Sequence, residues 1–440
     1  MRAATGRAPS VARTRLAANL LALSAGLLLA APAAACARQS GDERGRDDGG
    51  QPAVEHRPAP TTAAISAADL MTRLYVFSDD SMMGREAGTP GNVKGTEYIA
   101  AQLRGLGLEP AGENGTYYQT VPLTRRARGT TAALRGGPPP STEAAAPARN
   151  VVAVFRGSDP KLRGTYVALG AHNDHVGVAT TAVDHDSLRA YNAAAWRLRG
   201  ADAGLPALTP AQRASIRVNV DSLRRLRPAR LDSIWNGADD DGSGSMALLE
   251  IAEALAKGRA RPKRSVLFVW HTAEEKGLLG SRYFTEHPTV ARDSIVAQIN
   301  IDMIGRGRAE DTRGGGPTYL SLVGSRRLST ELGDIVEAVN RDRRVPLALD
   351  YRLDANGHPE NIYCRSDHYE YARYGIPIVF LFTGLHGDYH QVTDEPQYID
   401  YPHYATITQF VGDLTLRLAN LPHRPGLDKP KPDPDGVCRQ

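Results

Sequence analysis

The segment TYVALGAHNDH, residues 165–175, places a cluster of histidine and aspartate directly after an apolar run. The run does not alternate apolar with polar residues, and such continuity is typical of a strand that helices cover on both faces. His172, Asp174 and His175 follow it. Because ligands of open α/β sheets bind outside the carboxyl ends of the strands, the segment predicts a central strand with a functional site at its end.

Similar patterns recur along the chain. Apolar, β-rich runs predict further strands at residues 150–157, 265–272, 295–305 and 376–384. Helical spacing of apolar residues predicts helices at 67–77, 92–106, 245–257, 277–286 and 327–341. This alternation predicts an α/β fold with a mixed, mostly parallel central sheet flanked by helices.

One segment, residues 180–235, interrupts the alternation. It has no strand signal, but DSLRAYNAAAWRLRG has helical spacing. Thr209, Pro210 and Gln212 match an N-cap, a first helical position and a capping-box partner. We therefore predict a helical insertion at 180–235.

The composition is that of a globular protein with a large core: 440 residues, 41% hydrophobic and 23% charged. The first 15 residues contain four arginines, and without them the chain has 49 basic and 49 acidic residues. A nucleic-acid-binding surface is therefore not expected.

Residues 1–35 have the features of a secretory signal peptide. Arginines without acids precede an apolar stretch that is too short to span a membrane, and PAAAC follows at 32–36. Both cleavage at an Ala-x-Ala site and lipidation of Cys36 in a lipobox-like context stay open. Either predicts export to the periplasm or the cell exterior, the second with attachment to a bacterial membrane.

Two segments flank the predicted domain. Residues 36–65 lack apolar periodicity and are predicted to be a flexible linker, and residues 423–440 form a Pro-rich C-terminal tail. Cys364 and Cys438 are the other two cysteines. They could pair in an oxidising compartment, but the sequence does not show that they meet.

Acids and histidines recur after the other predicted strands. NGADDDGSGS, residues 236–245, holds three consecutive aspartates, and the remaining candidates are Glu274, Glu275, Asp302 and His390. Crowded carboxylates raise one another's pKa unless a cation neutralises them. Carboxylates and imidazoles without thiolates suit zinc, with cobalt or manganese as substitutes, and two such ions would activate a water molecule.

The aspartate triplet also fits a different metal site. With Asp239 as position one, Asp241, Ser243, Gly244 and Glu250 occupy positions three, five, six and twelve of an EF-hand calcium loop. However, WNGA at 235–238 breaks the helix that should enter such a loop. The 239–250 calcium site is therefore the weaker alternative.

Six motifs in order carry a family resemblance: GAHNDHVG, GADDDGSG, TAEEKGLLGS, INIDMIG, RSDHYEYARYGIP and DYHQVTDEP. Together they resemble the M28 family of co-catalytic dizinc aminopeptidases, over about residues 66 to 420. The resemblance implies a zinc-exopeptidase fold, also described as phosphorylase/hydrolase-like, for a domain at 66–422. It also implies two zinc ions per chain.

The resemblance assigns roles residue by residue. It implies that His172 and Asp302 hold one zinc, that Glu275 and His390 hold the other, and that Asp240 bridges both. It also implies a cis peptide bond from Asp240 to Asp241.

The resemblance also implies three catalytic roles. Glu274 would be the general base, and Asp174 would accept a hydrogen bond from the ring N–H of His172. Tyr363 would stabilise the oxyanion.

Two features depart from the family pattern. The insertion lies between His172 and Asp240 and is expected to lean over the mouth of the site. His175 stands where the family often has another residue, which affects the surroundings of the first zinc. The other histidines have simpler interpretations: His386 as a loop residue, His368 as a structural partner, and His271 as packing.

These features favour an exported zinc aminopeptidase acting on peptide or protein N-termini. A carboxypeptidase or another amide hydrolase on the same scaffold is an alternative, as is a cell-surface binding module. No GxSxG sequence occurs, so the main signature of a nucleophile-elbow hydrolase is missing. The sequence does not indicate the oligomeric state.

Overall fold

The computed structural model describes residue 56 and residues 59–123, 146–201 and 204–440. The predicted signal peptide, Cys36 and most of the predicted linker lie outside these residues. Within the described ranges, no helix has both the length and the apolar character needed to cross a membrane.

Ten helices occur in the described part of the chain: α1 (Ala67–Phe77), α2 (Pro90–Gly105), α3 (His185–Arg199), α4 (Pro210–Ser215), α5 (Val220–Leu226), α6 (Gly244–Lys257), α7 (Leu279–Glu286), α8 (Thr330–Arg341), α9 (His368–Ala372) and α10 (Tyr401–Ala419). The strands are β1 (Glu109–Pro110), β2 (Tyr118–Val121), β3 (Ala148–Phe155), β4 (Tyr166–His172), β5 (Gly177–Asp184), β6 (Leu231–Trp235), β7 (Ser265–His271), β8 (Ile295–Ile301), β9 (Tyr319–Val323), β10 (Ala348–Asp350) and β11 (Ile378–Phe382).

Local sequence explains where the helices begin. The Ser66 side chain accepts from the Asp69 N–H at the start of α1, and Leu70, Leu74 and Phe77 are buried at helical spacing. Helix α2 begins at Pro90, two residues before the prediction, since proline suits the first helical turn. The five residues of α9 are too few for a periodic signal.

The main sheet has the strand order β1-β3-β7-β4-β8-β11-β9-β10, with β2 paired to β3. The four central strands β7, β4, β8 and β11 run parallel, while β3 and β9 join them antiparallel. The sheet is therefore mixed with a parallel centre, as predicted. Parallel pairing places His172 opposite His271, so the strand ends that carry the candidate ligands meet at one edge.

Helices cover both faces of the sheet. Val167, Leu169 and Ala171 belong to a core cluster with α1, α6 and α10, whereas Ala168 belongs to a second cluster with α7 and α9. Both faces of β4 are thus buried, which explains its unbroken apolar sequence.

The insertion contains an antiparallel ribbon of β5 and β6 around helices α3, α4 and α5. The prediction of no strand between 180 and 235 was wrong. Most residues of β5 are exposed or half-buried, and its pairing shifts register between Val178 and Val183, so it leaves no alternating apolar pattern. The capping box of Thr209 and Gln212 at α4 is confirmed.

The C-terminal tail packs against the segment that precedes Ser366. Cys364 and Cys438 form a disulfide bond. The Gln440 side chain accepts from the Tyr363 N–H at 2.9 Å and donates to the Leu353 carbonyl at 2.6 Å.

Candidate active site

The parallel strands bring the predicted ligands together at one edge of the sheet. His172 ends β4, Glu275 follows β7, Asp302 follows β8, His390 follows β11, and Asp240 lies in the turn before α6. All five side chains are buried or half-buried. The structure therefore collects residues that are up to 218 positions apart in the chain.

Asp240 lies between two groups of possible metal ligands. Its Oδ1 is 3.1 Å from His172 Nε2, which is 3.6 Å from Asp302 Oδ1. Its Oδ2 is 3.0 Å from His390 Nε2, which is also 3.0 Å from Glu275 Oε1. In each group the ligand atoms lie within 4.8 Å of one another, so one carboxylate faces two possible ion positions.

His175 belongs to the second group. Its Nδ1 is 3.1 Å from Glu275 Oε1 and 3.9 Å from Asp240 Oδ2. The expectation that it would affect the first ion, beside His172, was wrong. The bend after β4 turns His175 toward Glu275 and His390, and sequence spacing alone does not reveal that direction.

The neighbours of Asp240 hold the turn in place. The Asp394 carboxylate accepts from the N–H groups of Asp239 and Asp240 at 3.1 Å each. Asp241 accepts from the N–H groups of His172, Gly244 and Met303 at 2.8–3.2 Å. The Asp240–Asp241 peptide bond is cis, as the resemblance implied.

His386 supports this turn instead of being a simple loop residue. It is 2% exposed, and its Nε2 lies 3.2 Å from Asp239 Oδ2. The other oxygen of Asp239 accepts from the Gly305 N–H at 2.6 Å. The role of Asp394 was not predicted from the sequence. His386 and Asp394 each lie four positions from His390.

The EF-hand alternative does not fit this geometry. Glu250, which would be the bidentate calcium ligand, lies within α6 and accepts from Arg73 Nε at 2.9 Å. The Asp241 carboxylate is already used by three backbone N–H groups. Residues 239–250 therefore form a turn and a buried helix.

Asp174 has a different contact from the one predicted. The His172 Nδ1 is 3.0 Å from the backbone carbonyl of Asp174 but 3.7 Å from its carboxylate. The carboxylate instead accepts from the Glu274 N–H at 3.1 Å. Asp174 thus orients the candidate base through its backbone.

Glu274 lines the cavity beside the ligands and is 2% exposed. The cavity is lined by Asp240, Glu274, Asp302, Met303, Ile362, Arg365, Ser366, Phe380, Phe382, Leu385 and Tyr389. Its walls combine the acidic cluster with an apolar surface.

Tyr363 is not among the residues that line this cavity. Its ring packs against His368 and Tyr369, and the Arg327 guanidinium lies 4.4 Å from the ring centre. Burial raises the pKa of Tyr363 well above its usual value. The docked tail and Arg327 hold the ring in the core, and the role of Tyr363 in stabilising the oxyanion stays a prediction.

His368 and His271 pack in the interior. His368 stacks on Phe380 at 4.6 Å between ring centres, and burial lowers the pKa of His368 to about 3. His271 contacts the Tyr371 hydroxyl at 2.9 Å. Both positions agree with the packing roles predicted for them.

The electrostatics of the cluster favour bound cations. Burial alone would lower the pKa of His172, but Asp302, Asp174 and Asp240 raise it well above its usual value. Burial likewise opposes ionisation of Asp240, yet the neighbouring imidazoles of His172 and His390 hold its pKa well below the ordinary range. The imidazoles thus occupy positions where positive charge is strongly stabilised.

Two buried polar atoms without hydrogen-bond partners indicate that a metal ion would fit this site. His172 Nε2 and Asp302 Oδ1 are buried and make no hydrogen bond, although they lie 3.6 Å apart and His172 Nε2 is 3.1 Å from Asp240 Oδ1. Buried polar atoms of this kind are costly unless a partner satisfies them. The oxygen and nitrogen donors, without thiolates, suit zinc.

The parallel-centred sheet and the histidine–carboxylate cluster at its carboxyl edge define an α/β protein with a candidate metal centre. Residues 218–415 match the family model described as Peptidase family M28. This match covers a little under half of the chain.

Known proteins resemble parts of the chain. It is 30% identical to leucine aminopeptidase 1 of Ajellomyces capsulatus over 213 residues, covering 45% of this chain and 51% of the relative. It is also 30% identical to leupeptin-inactivating enzyme 1 of Streptomyces exfoliatus over 172 residues, covering 38% and 34%. The chain thus spans between a third and a half of the length of these curated relatives.

A solved structure shows the same fold. The LapA aminopeptidase of Legionella pneumophila superposes with a TM-score of 0.50 at 18% identity, covering 81% of this chain and 73% of that one.

Proposed function

We propose that this protein is an exported, zinc-dependent aminopeptidase that holds two zinc ions and hydrolyses N-terminal peptide bonds. The observation that carries the proposal is the position of Asp240, whose two carboxylate oxygens face two separate ligand groups. The first group is His172, Asp240 and Asp302, and the second is Asp240, Glu275 and His390, with His175 beside it.

The residues around the ligands fit a hydrolytic role. When bound, zinc supplies a Lewis acid that polarises the substrate carbonyl. Glu274 takes the proton of the attacking water and delivers it to the leaving amine. Asp174 orients Glu274 by accepting its backbone N–H, while Asp394 holds the backbone of Asp240.

The cavity favours substrates with an apolar N-terminal side chain. Its apolar wall consists of Met303, Ile362, Phe380, Phe382 and Leu385. A leucine or phenylalanine side chain loses water-exposed area there, at about 25 cal/mol per Å² buried. The name leucine aminopeptidase, carried by a relative, agrees with this preference.

The insertion borders the segment that carries His390. Trp196 of α3 donates to the Asp311 carbonyl at 2.6 Å, and Arg189 lies 3.3 Å from Asp388. We expect this arrangement to limit the size of substrates that reach the cavity.

Carboxypeptidase activity is the second candidate because Arg365 lines the cavity. A guanidinium there could pair with a C-terminal carboxylate. However, Arg365 Nη1 already lies 2.7 Å from Glu360 Oε2, which neutralises much of its charge. This pairing favours the aminopeptidase.

Matched peptides distinguish the two activities. We expect the purified chain to release the first residue of Leu-Ala-Ala-Phe and of its C-terminal amide, but not of the N-acetyl peptide. Chelation should abolish release and zinc should restore it. Cleavage of the N-acetyl peptide together with loss of activity on the amide would support the carboxypeptidase instead.

Export is proposed from the sequence of the N-terminal segment and is supported by the Cys364–Cys438 disulfide, since such bonds persist in oxidising compartments. Intact mass of protein from membrane and soluble fractions separates the two processing routes. A chain beginning at diacylated Cys36 indicates a lipid anchor, whereas an unmodified shortened chain indicates simple secretion. A full-length chain confined to the cytoplasm would contradict export.

A further inference from the structure

A separate cluster of ligand-type residues lies where the insertion joins the domain. His185 begins α3 directly after β5, Asp232 lies in β6, and Glu395 lies five residues after His390. One ligand atom from each lies within 4.8 Å of the other two. None of the three belongs to the ligand groups around Asp240.

The imidazole of His185 faces this cluster with a ring nitrogen that makes no hydrogen bond. The residue is 1% exposed, and its Nε2 is buried without a hydrogen-bond partner, 3.9 Å from Glu395 Oε1. The ring stacks on Tyr398, which fixes its plane. An imidazole nitrogen buried in this way is costly unless a ligand satisfies it.

The surroundings of His185 disfavour an ionised Glu395 unless a cation is bound beside it. Burial raises the pKa of Glu395 to about 8, and the nearby carboxylates of Asp232 and Asp80 add to the effect. Asp232 uses Oδ1 to accept from the Ile234 N–H at 2.9 Å. Arg230 lies close enough to offset part of the charge.

We propose that His185, Asp232 and Glu395 bind a further divalent cation, of the class that accepts imidazole and carboxylate together, zinc first among them. Bonds of about 2.1 Å place ligand atoms no more than about 4.2 Å apart. The His185–Glu395 separation of 3.9 Å already meets this limit, so the closure required is well under 1 Å.

The other ring nitrogen of His185 sets a condition for binding. Arg230 Nη2 lies 2.6 Å from Nδ1, and Asp186 Oδ1 lies 3.5 Å from it. If Nε2 binds a cation, Nδ1 carries the proton and donates it to Asp186. Arg230 then turns fully to Asp186, to which it already donates at 2.7 Å.

Occupancy would join three elements that are otherwise separate in the chain: the first turn of α3, strand β6 and the segment after His390. Glu395 directly follows Asp394, whose carboxylate holds the backbone of Asp240. The cation would thus fasten the insertion to the segment that supports the active site. This inference does not depend on the proposed peptidase activity.

Zinc counting and diffraction test the site. The full chain is stripped of metal with a chelator and dialysed against micromolar zinc. The zinc bound per chain is then counted by mass spectrometry, and crystals of the same protein give anomalous difference maps at the zinc edge. We expect an anomalous peak bonded to His185 Nε2 that Asp232→Asn removes, with about one fewer zinc per chain. Asp221→Asn, an exposed aspartate of the same insertion, is the control and should keep it.

The peaks at His185 and at Asp240 are read separately, so failure of one site is not failure of the other. Absence of a peak at His185 in crystals that have peaks at Asp240 would overturn the inference. Equal zinc counts in the parent chain and in Asp232→Asn would overturn it as well.

Discussion

Replacing Glu274 by glutamine tests the assignment of the general base. The side chain is 2% exposed and its backbone N–H is held by Asp174, so the isosteric amide keeps the packing while losing the proton-accepting oxygen. A positioned general base contributes about 10² to 10⁴ in rate, or about 3 to 5 kcal/mol of transition-state stabilisation. We expect kcat on leucyl-p-nitroanilide to fall by that factor with a small change in KM.

Metal content makes this prediction specific. Glu274→Gln should retain the zinc bound at Asp240, whereas Glu275→Gln should lose part of it, because the Glu275 carboxylate lies 3.0 Å from His390 and 3.1 Å from His175. Turnover by Glu274→Gln within about threefold of the parent would refute the role of Glu274 as base. Loss of zinc from Glu274→Gln would show instead that it is a ligand.

Three further predictions concern the supporting structure. Arg306 holds the pKa of buried Asp311 at about 2, below the ordinary 3.8, so this pair stabilises the fold above about pH 4. The free energy of unfolding should therefore drop by about 2 kcal/mol between pH 4 and pH 2. A drop of similar size in Asp311→Asn would contradict the role of this pair. Cys438→Ser opens a loop of 74 residues and should lower stability by about 2 to 5 kcal/mol in denaturant titrations, whereas an unchanged midpoint would contradict a contribution from the disulfide. Asp394→Asn replaces one of the two carboxylate oxygens that accept the N–H groups of Asp239 and Asp240, and it should weaken zinc binding about 10- to 100-fold in chelator competition. Unchanged affinity would contradict the supporting role of Asp394.

Much of the domain could be predicted because its patterns are strong. Helix α1 has the predicted bounds because a serine cap and apolar residues at helical spacing mark both ends. The central strands are buried on both faces, so their apolar runs are unbroken. Their parallel pairing then collects the candidate ligands at one edge, and that convergence followed from strand ends alone.

The contacts of individual side chains could not be predicted in the same way. Tyr363 has the expected sequence position, but a docked C-terminal tail and Arg327 hold it in the core. Asp174 contacts the Glu274 backbone because the chain bends after His172. Strands β5 and β6 are mostly exposed or half-buried and show no alternating apolar pattern. Only their pairing with each other identifies them as strands.

The supporting roles of Asp394 and His386 could not be predicted from the sequence either. Both act through contacts with a turn that is about 150 residues away in the chain. Such long-range contacts leave no local periodicity, and a lone histidine or aspartate near a ligand has many possible partners.

An anomalous difference map at the zinc edge, for crystals grown with zinc, tests the site around Asp240 most directly. We expect two peaks flanking Asp240, one bonded to His172 and Asp302 and the other to Glu275 and His390. A single peak, or none, beside Asp240 would contradict the shared-carboxylate site on which the proposed function depends.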